Sequence, residues 1–339
     1  MNGTDAPETA TPPAGASPPD VSVVVPCYNV ADVVERAVRS ALDQSLPPAQ
    51  IVCVDDGSVD GTLDVLHRLR DGAPDRVRVL TGPNAGACAA RNKGLAEARG
   101  AYVQFLDADD ALDPTKLEGQ VAVVAAEDPP PDLVVGASRR RLLSGAVEDM
   151  SPGDANPWLA FFERRLGITT ANLWRREAVL AVGGWNEGWR SSQEAELMLR
   201  MLRAGARVVY DPVPRATIYE REGSITHDPQ FEHRERHVRL RVEALEHLRR
   251  EGALDPTETE RATRLVFGLI RSLSPLGPRT AAEFHDRVIP PSFTPPPGAA
   301  SANLYPLAYR ALGFRRAEAL SLGAGRVRSA LRAVAPSRS

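Results

Sequence analysis

Three aspartates stand within four positions in "FLDADD", residues 105 to 110, directly after an apolar run. Carboxylates at that density repel one another unless protons or a cation intervene. Along an extended strand, side chains two apart share a face, so Asp107 and Asp109 are expected to point one way and Asp110 the other. Hard, paired oxygen ligands suit Mg2+ or Mn2+, above all where substrate phosphates complete the shell. A plainer role fits Asp113, which is expected to cap a helix beginning at Pro114. Capping leaves Asp107 and Asp109 unexplained.

The elements around these residues give the position its meaning. "VSVVVP" from Val21, "IVCV" from Ile51, "VRVL" from Val77 and "AYVQFLD" from Ala101 each read as a strand. Between them lie helical patterns. The first runs through Val33, Val34, Ala37, Val38, Ala41 and Leu42, with Asp32 and Glu35 as an expected capping box. Strands alternating with helices predict a parallel sheet with right-handed crossovers. A polar cluster follows every strand: "PCYN", "DDGS", "GPNAG" and "DADD". Each alone is ordinary turn chemistry. Together they fall on the carboxyl edge of an open sheet, where such folds bind ligands.

Composition narrows the classes. The chain has 339 residues, a net charge of −3 and 43% apolar content, so no global basic field points to nucleic acid. Lys93 and Lys116 are the only lysines among many arginines. Cys27, Cys53 and Cys88 are an odd count without paired spacing and read as small buried thiols rather than a disulfide framework or a zinc site. No stretch is apolar enough to span a bilayer, and the N-terminus does not read as a signal peptide. The expected domains are a disordered tail over 1–20, an α/β domain over 21–228, a helical extension over 229–289, a Pro-rich linker over 290–303 and a basic amphipathic segment over 304–339.

"VVVPCYN", "VDDGS", "GPNAGACAARNKG" and "FLDADD", in this order, closely resemble the glycosyltransferase family 2 enzymes. The resemblance continues through "VGGWNE" and "QEAELMLRM" and covers about residues 21 to 226. It implies a GT-A fold, Rossmann-like with a mostly parallel sheet flanked by helices, here with a helical C-terminal extension. It also implies an inverting, metal-dependent transfer from a nucleotide diphosphate sugar, UDP-linked in most of the family, to an acceptor hydroxyl. The products would be polysaccharide, glycolipid or another glycoconjugate, with Mn2+ or Mg2+ as cofactor.

Residue by residue, the resemblance implies that Pro26 and Tyr28 line the base pocket and that Asp56 accepts from the uracil imide. Asp55 would order the turn, and Asn84 with Gly86 would shape the following loop. Arg91 would reach the base or pyrophosphate, or be a solvated helical arginine. Asp107 matches the position near ribose and metal, and Asp109 the principal metal ligand. At the base the chain departs from its family: "QEAEL" places Gln193 where Glu is usual, Glu194 where the base Asp is usual and Ala195 where an aromatic is usual. Glu194 is therefore the expected base, with Glu196 as the fallback. Trp185 and Trp189 would stack on the acceptor sugar or pack in the core, and Arg221 would approach the pyrophosphate.

The altered base segment keeps a second class open, a non-catalytic GT-A module that binds a nucleotide-sugar or scaffolds a partner. A nucleotidyltransferase would need a Gly-rich basic loop after the first strand, and a dinucleotide oxidoreductase its G-x-G-x-x-G; neither is present there. The expected partners are a nucleotide-sugar donor and a saccharide or lipid-linked acceptor, without nucleic acid. The arginine-rich last segment suits either a basic surface helix or peripheral contact with an anionic membrane. The expected location is the cytoplasm, free or at the inner face of the cell membrane.

Overall fold

The computed structural model describes residues 19–153, 156–221, 231–296 and 304–334. It divides into two compact units, Met1–Thr226 and His227–Ser339.

The first unit opens with alternating strands and helices: β1 (Val21–Cys27), α1 (Val34–Leu42), β2 (Gln50–Asp55), α2 (Thr62–Gly72), β3 (Val77–Thr81), α3 (Ala87–Glu97) and β4 (Tyr102–Phe105). It continues through β5 (Ala111–Leu112), α4 (Lys116–Ala125), β6 (Leu133–Gly136), β7 (Ser138–Arg141), β8 (Val147–Met150), α5 (Pro157–Phe162) and β9 (Leu173–Arg175). It closes with α6 (Arg176–Ala181), α7 (Gln193–Arg203), β10 (Val208–Asp211) and β11 (Ala216–Tyr219). Seven strands form the main sheet in the order β10-β6-β9-β4-β1-β2-β3, parallel throughout except that β9 runs against both neighbours. A small second sheet has the order β5-β11-β7-β8. The expected mostly parallel α/β architecture is the one observed.

Strand order locates the site before any side chain is considered. From β1 the chain builds outward to β2 and β3, then crosses back so that β4 pairs with the other side of β1. Neighbouring loops therefore diverge at the carboxyl ends of β1 and β4, which opens a crevice there. The valines that made these segments read as buried strands are fully buried, Val23, Val24, Val25, Val52 and Val103 among them. Helix α3 lies unusually close to this sheet. A Cβ at Gly94 would sit 2.3 Å from Val24 Cγ1, so only glycine permits the approach.

The second unit is helical: α8 (Phe231–Glu251), α9 (Pro256–Leu273), α10 (Pro278–Val288) and α11 (Leu304–Val334). Asp255 and Glu258 form a reciprocal capping box at the start of α9. Helix α11 is broken at Gly313, whose φ is 74°. Phe314 stacks on His285 of α10 with centroids 4.3 Å apart, His285 meets the Tyr309 hydroxyl at 2.8 Å, and Glu318 pairs with Arg271 of α9 at 2.7 Å.

Two local expectations differ from the structure. Helix α1 starts at Val34 with no side-chain cap, and Asp32 instead pairs with Arg221 at 3.2 Å. Helix α4 starts at Lys116 rather than Pro114, because the Asp113 carboxylate accepts from the Thr115 amide and hydroxyl and forms a turn before the helix. The expected tail through residue 18, residues 297–303 of the expected linker and residues 335–339 of the expected basic segment lie outside the described residues. All three cysteines are free and buried.

Candidate active site

Strand β4 ends at Phe105, so Asp107 to Asp110 form a turn rather than strand, closed by the Asp110 amide on the Asp107 carbonyl at 3.0 Å. The alternation argument for their directions fails for that reason, yet the separation it predicted is present. Asp107 and Asp109 are part-exposed, and Asp110 is buried. Asp110 accepts from the Thr170 hydroxyl at 2.8 Å, while the same hydroxyl accepts from the Asp107 amide at 3.2 Å. Burial, then the neighbouring carboxylates Asp107 and Asp109, push the Asp110 carboxyl well above its usual range. Burial and Asp107 raise Asp109 in the same direction. Two guanidiniums answer this negative charge. Arg36 of α1 donates to the Asp109 carbonyl and stacks on Tyr219, 3.8 Å from its ring centre. Arg221 lies 3.9 Å from the Asp109 carboxylate.

The loops after β1, β2 and β3 are stitched together. The Asn29 amide donates to Ser58 Oγ and the Val59 amide to Asn29 Oδ1, at 3.0 and 2.9 Å. Both Asp56 oxygens accept backbone N–H groups of the "GPNAG" loop, from Ala85 at 2.9 Å and Gly86 at 2.8 Å. Asp55 accepts from the Ser58 amide and the Thr81 hydroxyl, the turn-ordering role expected of it. Gly57 sits at φ +77°, and a Cβ there would approach the Asn84 amide nitrogen to 2.9 Å. The two loops can touch only because this residue is glycine. Asn84 is exposed at the loop's rim. Pro26 is part-buried at the end of β1, and the Tyr28 ring is half exposed beside it, an open aromatic face.

Arg91 is neither solvated nor free to reach a ligand. It is 7% exposed, donates through Nη2 to Asp107 Oδ1 at 2.7 Å and through Nη1 to Gln193 Oε1 at 2.8 Å. Its guanidinium lies over the Trp185 ring at 4.6 Å. Trp185 is correspondingly not a sugar platform. It is 2% exposed and packs edge-on against Phe105 at 5.1 Å, with Trp174 at 6.0 Å, inside the core. Trp189 contributes its carbonyl, which accepts from Gln193 Nε2 at 2.9 Å.

The two candidate bases on α7 differ sharply. Glu196 is buried and bound bidentately by Arg200, at 2.9 and 2.7 Å, and that arginine also donates to the Val182 and Gly184 carbonyls. Asn92 of α3 holds the same turn from the other side, through the Trp185 amide and carbonyl. Glu196 thus clamps the "GGWNE" turn and is not on an acceptor surface. Glu194, part-exposed in the first turn of α7, has no hydrogen-bond or ion-pair partner among the described residues. The residue before the helix, Ser192, holds the left-handed conformation at φ 53°, an uncommon one for a side-chain-bearing residue.

Among the described residues no group of three His, Cys, Asp or Glu side chains gathers into a ready-made metal cage. The donor set still fits a divalent cation of the kind that keeps few protein ligands. Asp109 and Asp107 offer part-exposed hard carboxylate oxygens, and such a cation takes the rest of its shell from phosphate and water oxygens.

Sequence reasoning missed Arg36, Thr170 and the role of Gln193. Arg36 lies in an amphipathic helix pattern indistinguishable from a surface arginine. Thr170 sits in an irregular segment. Only the departure at Gln193 gave a signal, and its partner was not readable from it.

The description "Glycosyl transferase family 2" matches residues 22–183. A protein assigned to teichuronic acid biosynthesis as the glycosyltransferase TuaG, of Bacillus subtilis (strain 168), is 46% identical over 104 residues, 30% of this chain and 41% of the relative. The chain thus spans less than half of that relative's length. Among solved structures, S. aureus TarS 1–349 in complex with UDP-GlcNAc aligns with a TM-score of 0.58 at 16% identity, over 90% of this chain and 92% of that one. The mannosyltransferase PcManGT from Pyrobaculum calidifontis, in complex with GDP-Man and Mn2+, aligns with a TM-score of 0.55 at 20% identity, over 94% and 83%. At such identities the likeness establishes the GT-A fold. With strand order, loop chemistry and family match agreeing over the same stretch, residues 22–183 carry the glycosyltransferase family 2 pattern on a GT-A fold.

Proposed function

We propose that this chain is an inverting glycosyltransferase that moves a sugar from a nucleotide diphosphate donor, UDP-linked, to an acceptor hydroxyl in polysaccharide, glycolipid or other glycoconjugate synthesis. The observation that carries this reading is the contrast on α7: Glu196 is committed to Arg200, and Glu194 is left as an unpartnered carboxylate.

Tyr28 offers its ring to the base, and Asp56 keeps unused lone pairs beyond its two loop contacts for the imide N–H. The first three loops are already interlocked, so the nucleotide would meet loops held in place before it binds. Asp109, with Asp107 beside it, would hold a divalent cation, Mn2+ or Mg2+, which supplies charge neutralisation at a departing diphosphate. Arg36 and Arg221 add positive charge on the same side. Glu194 accepts the acceptor hydroxyl's proton as its oxygen bonds to the anomeric carbon. The carbon–oxygen bond to the diphosphate breaks in the same displacement, which inverts the anomeric configuration. The UDP-GlcNAc complex of TarS and the GDP-Man and Mn2+ complex of PcManGT support the donor class and the metal.

For the location, the proposal is peripheral contact at the inner face of the cell membrane. Leu304, Leu307 and Leu320 are exposed on α11 alongside Arg310, Arg315 and Arg316. Among the described residues no helix is long and apolar enough to cross a membrane.

The test is nucleotide release from a panel of UDP-, dTDP- and GDP-sugars, with Mn2+ and with EDTA. Release that EDTA abolishes and Asp109→Ala removes is expected. Tight nucleotide binding without turnover on any acceptor would favour the non-catalytic module instead.

A further inference from the structure

We infer that Arg91 is a positioning residue that fixes the donor-side carboxylate Asp107 and the start of the base-bearing helix α7 to one another, with Gln193 as the link this chain uses. The inference rests on the glycosyltransferase reading above. It assigns the arginine to neither base nor diphosphate.

The geometry is that of a strut. Arg91 projects from α3, which Gly94 brings against β1. Its two terminal nitrogens are spent in different directions, on Asp107 at the end of β4 and on Gln193 at the first residue of α7. A guanidinium is planar and rigid, so two acceptors bonded to its separate nitrogens are held at a set distance and angle. The Trp185 ring beneath closes off rotation out of that plane. Gln193 is itself held on its other side by the Trp189 carbonyl. Glu194 follows directly in sequence, so the placement of Gln193 sets where that carboxylate begins. The left-handed Ser192 shows the chain bending into this position at a conformational cost.

The identity of residue 193 has a chemical consequence. The Gln193 amide oxygen accepts from the guanidinium but, being neutral, sets no countercharge against it. Among the described residues Asp107 is therefore the one carboxylate ion-paired with the cation, with Glu194 acting on it only at longer range. A carboxylate at 193 would share the same cation, loosen its hold on Asp107 and add a negative charge beside Glu194.

The test separates donor binding from turnover, using the full chain, UDP with Mn2+ as the binding probe, and the sugar nucleotide that the wild type turns over fastest. Gln193→Leu should leave UDP affinity within about twofold and lower kcat by about tenfold or more, because a misplaced base costs rate rather than affinity. Arg91→Lys keeps the charge and loses the fork. It should retain most UDP affinity while losing kcat to a similar degree, and Arg91→Gln should lose both. Combining Arg91→Lys with Gln193→Leu should be no worse than Arg91→Lys alone, since both remove one link. Wild-type kcat in Gln193→Leu, or a double variant whose losses multiply, would overturn the strut while leaving wild-type transfer intact. A wild type that binds no UDP and turns over no sugar nucleotide would instead sink the glycosyltransferase reading. Gln193 is part-exposed, so its variant keeps the test available if the Arg91 variants fail to fold.

Discussion

Two glutamates two positions apart on α7 differ in their surroundings, and the proposed roles predict different effects when each is changed. Glu194→Gln keeps size and hydrogen bonding but cannot take a proton. Transfer should fall by about 10²–10⁴-fold, with UDP affinity and melting temperature unchanged. Glu196→Gln should do the reverse. It halves the bidentate hold on Arg200, leaves that cation poorly matched in a buried site, and should cost about 1–3 kcal/mol of stability. Single-turnover transfer and thermal melts on the two variants check the assignment. A stable but inactive Glu196→Gln beside an active Glu194→Gln would move the base along the helix. For comparison, Asp113→Ala should cost only about 1 kcal/mol and no metal-dependent binding, since the hydrogen bonds of its carboxylate stay within its own turn.

At the scale of loops and helices, the interlock around Gly57 is the feature most exposed to a single change. Gly57→Ala forces a side chain into a left-handed position and against the neighbouring loop. A cost of about 1–3 kcal/mol is expected, with a larger proportional loss in UDP affinity than a distant variant of equal stability shows. Calorimetric titration against matched melts would decide it. These loops also show what sequence can and cannot convey. The strands from Val21 to Phe105 were legible because β-branched runs, glycine and proline punctuation are local signals. The gathering of polar clusters at one edge followed from alternation alone. Asp32 was misread as a cap because its partner, Arg221, is 189 positions away. Arg91 was misplaced and Trp185 left undecided for the same reason: the choice between surface and core depended on Gly94 drawing α3 inward and on Gln193 arriving from α7. Family resemblance supplied the positions of Asp107, Asp109 and Glu194, but the division of labour between Glu194 and Glu196 needed Arg200 in place.

For the whole molecule, stability should depend on pH through a buried cation. Lys116 is fully buried, with its ammonium on the side-chain carbonyls of Gln104, at 2.6 Å, and Gln120. Burial lowers its pKa to about 7 from 10.5. Between those values the unfolded chain holds a proton that the folded chain has released, so stability rises with pH. The slope is about 1.4 kcal/mol per pH unit at most. Below about pH 7 both states are protonated and the Lys116 contribution is constant at its least favourable. Above about pH 9 the buried thiols Cys27 and Cys53, whose pKa values are raised, act in the opposite direction. Urea melts from pH 7 to 9 should show the rise, and Lys116→Met should flatten it. An unchanged slope in the variant would refute the assignment. The membrane proposal also belongs at this scale. Deleting α11 would uncover the aromatic contacts of Phe314 and Tyr309 on α9 and α10. Point changes are the cleaner probe. Leu304→Ser, Leu307→Ser and Leu320→Ser together with Arg310→Gln and Arg316→Gln should abolish sedimentation with anionic liposomes and leave soluble-acceptor turnover unchanged. Undiminished sedimentation would remove the idea.

The burial of Lys116 also leaves the chain with one addressable lysine. Lys93 is exposed on α3 and reaches the Thr81 carbonyl at 2.7 Å, at the root of the "GPNAG" loop. An amine-reactive dye should therefore modify Lys93 as the principal lysine of the native protein and reach Lys116 only after unfolding. The label would stand next to the loop that Asp56 anchors, where it could report nucleotide arrival by fluorescence without an introduced cysteine.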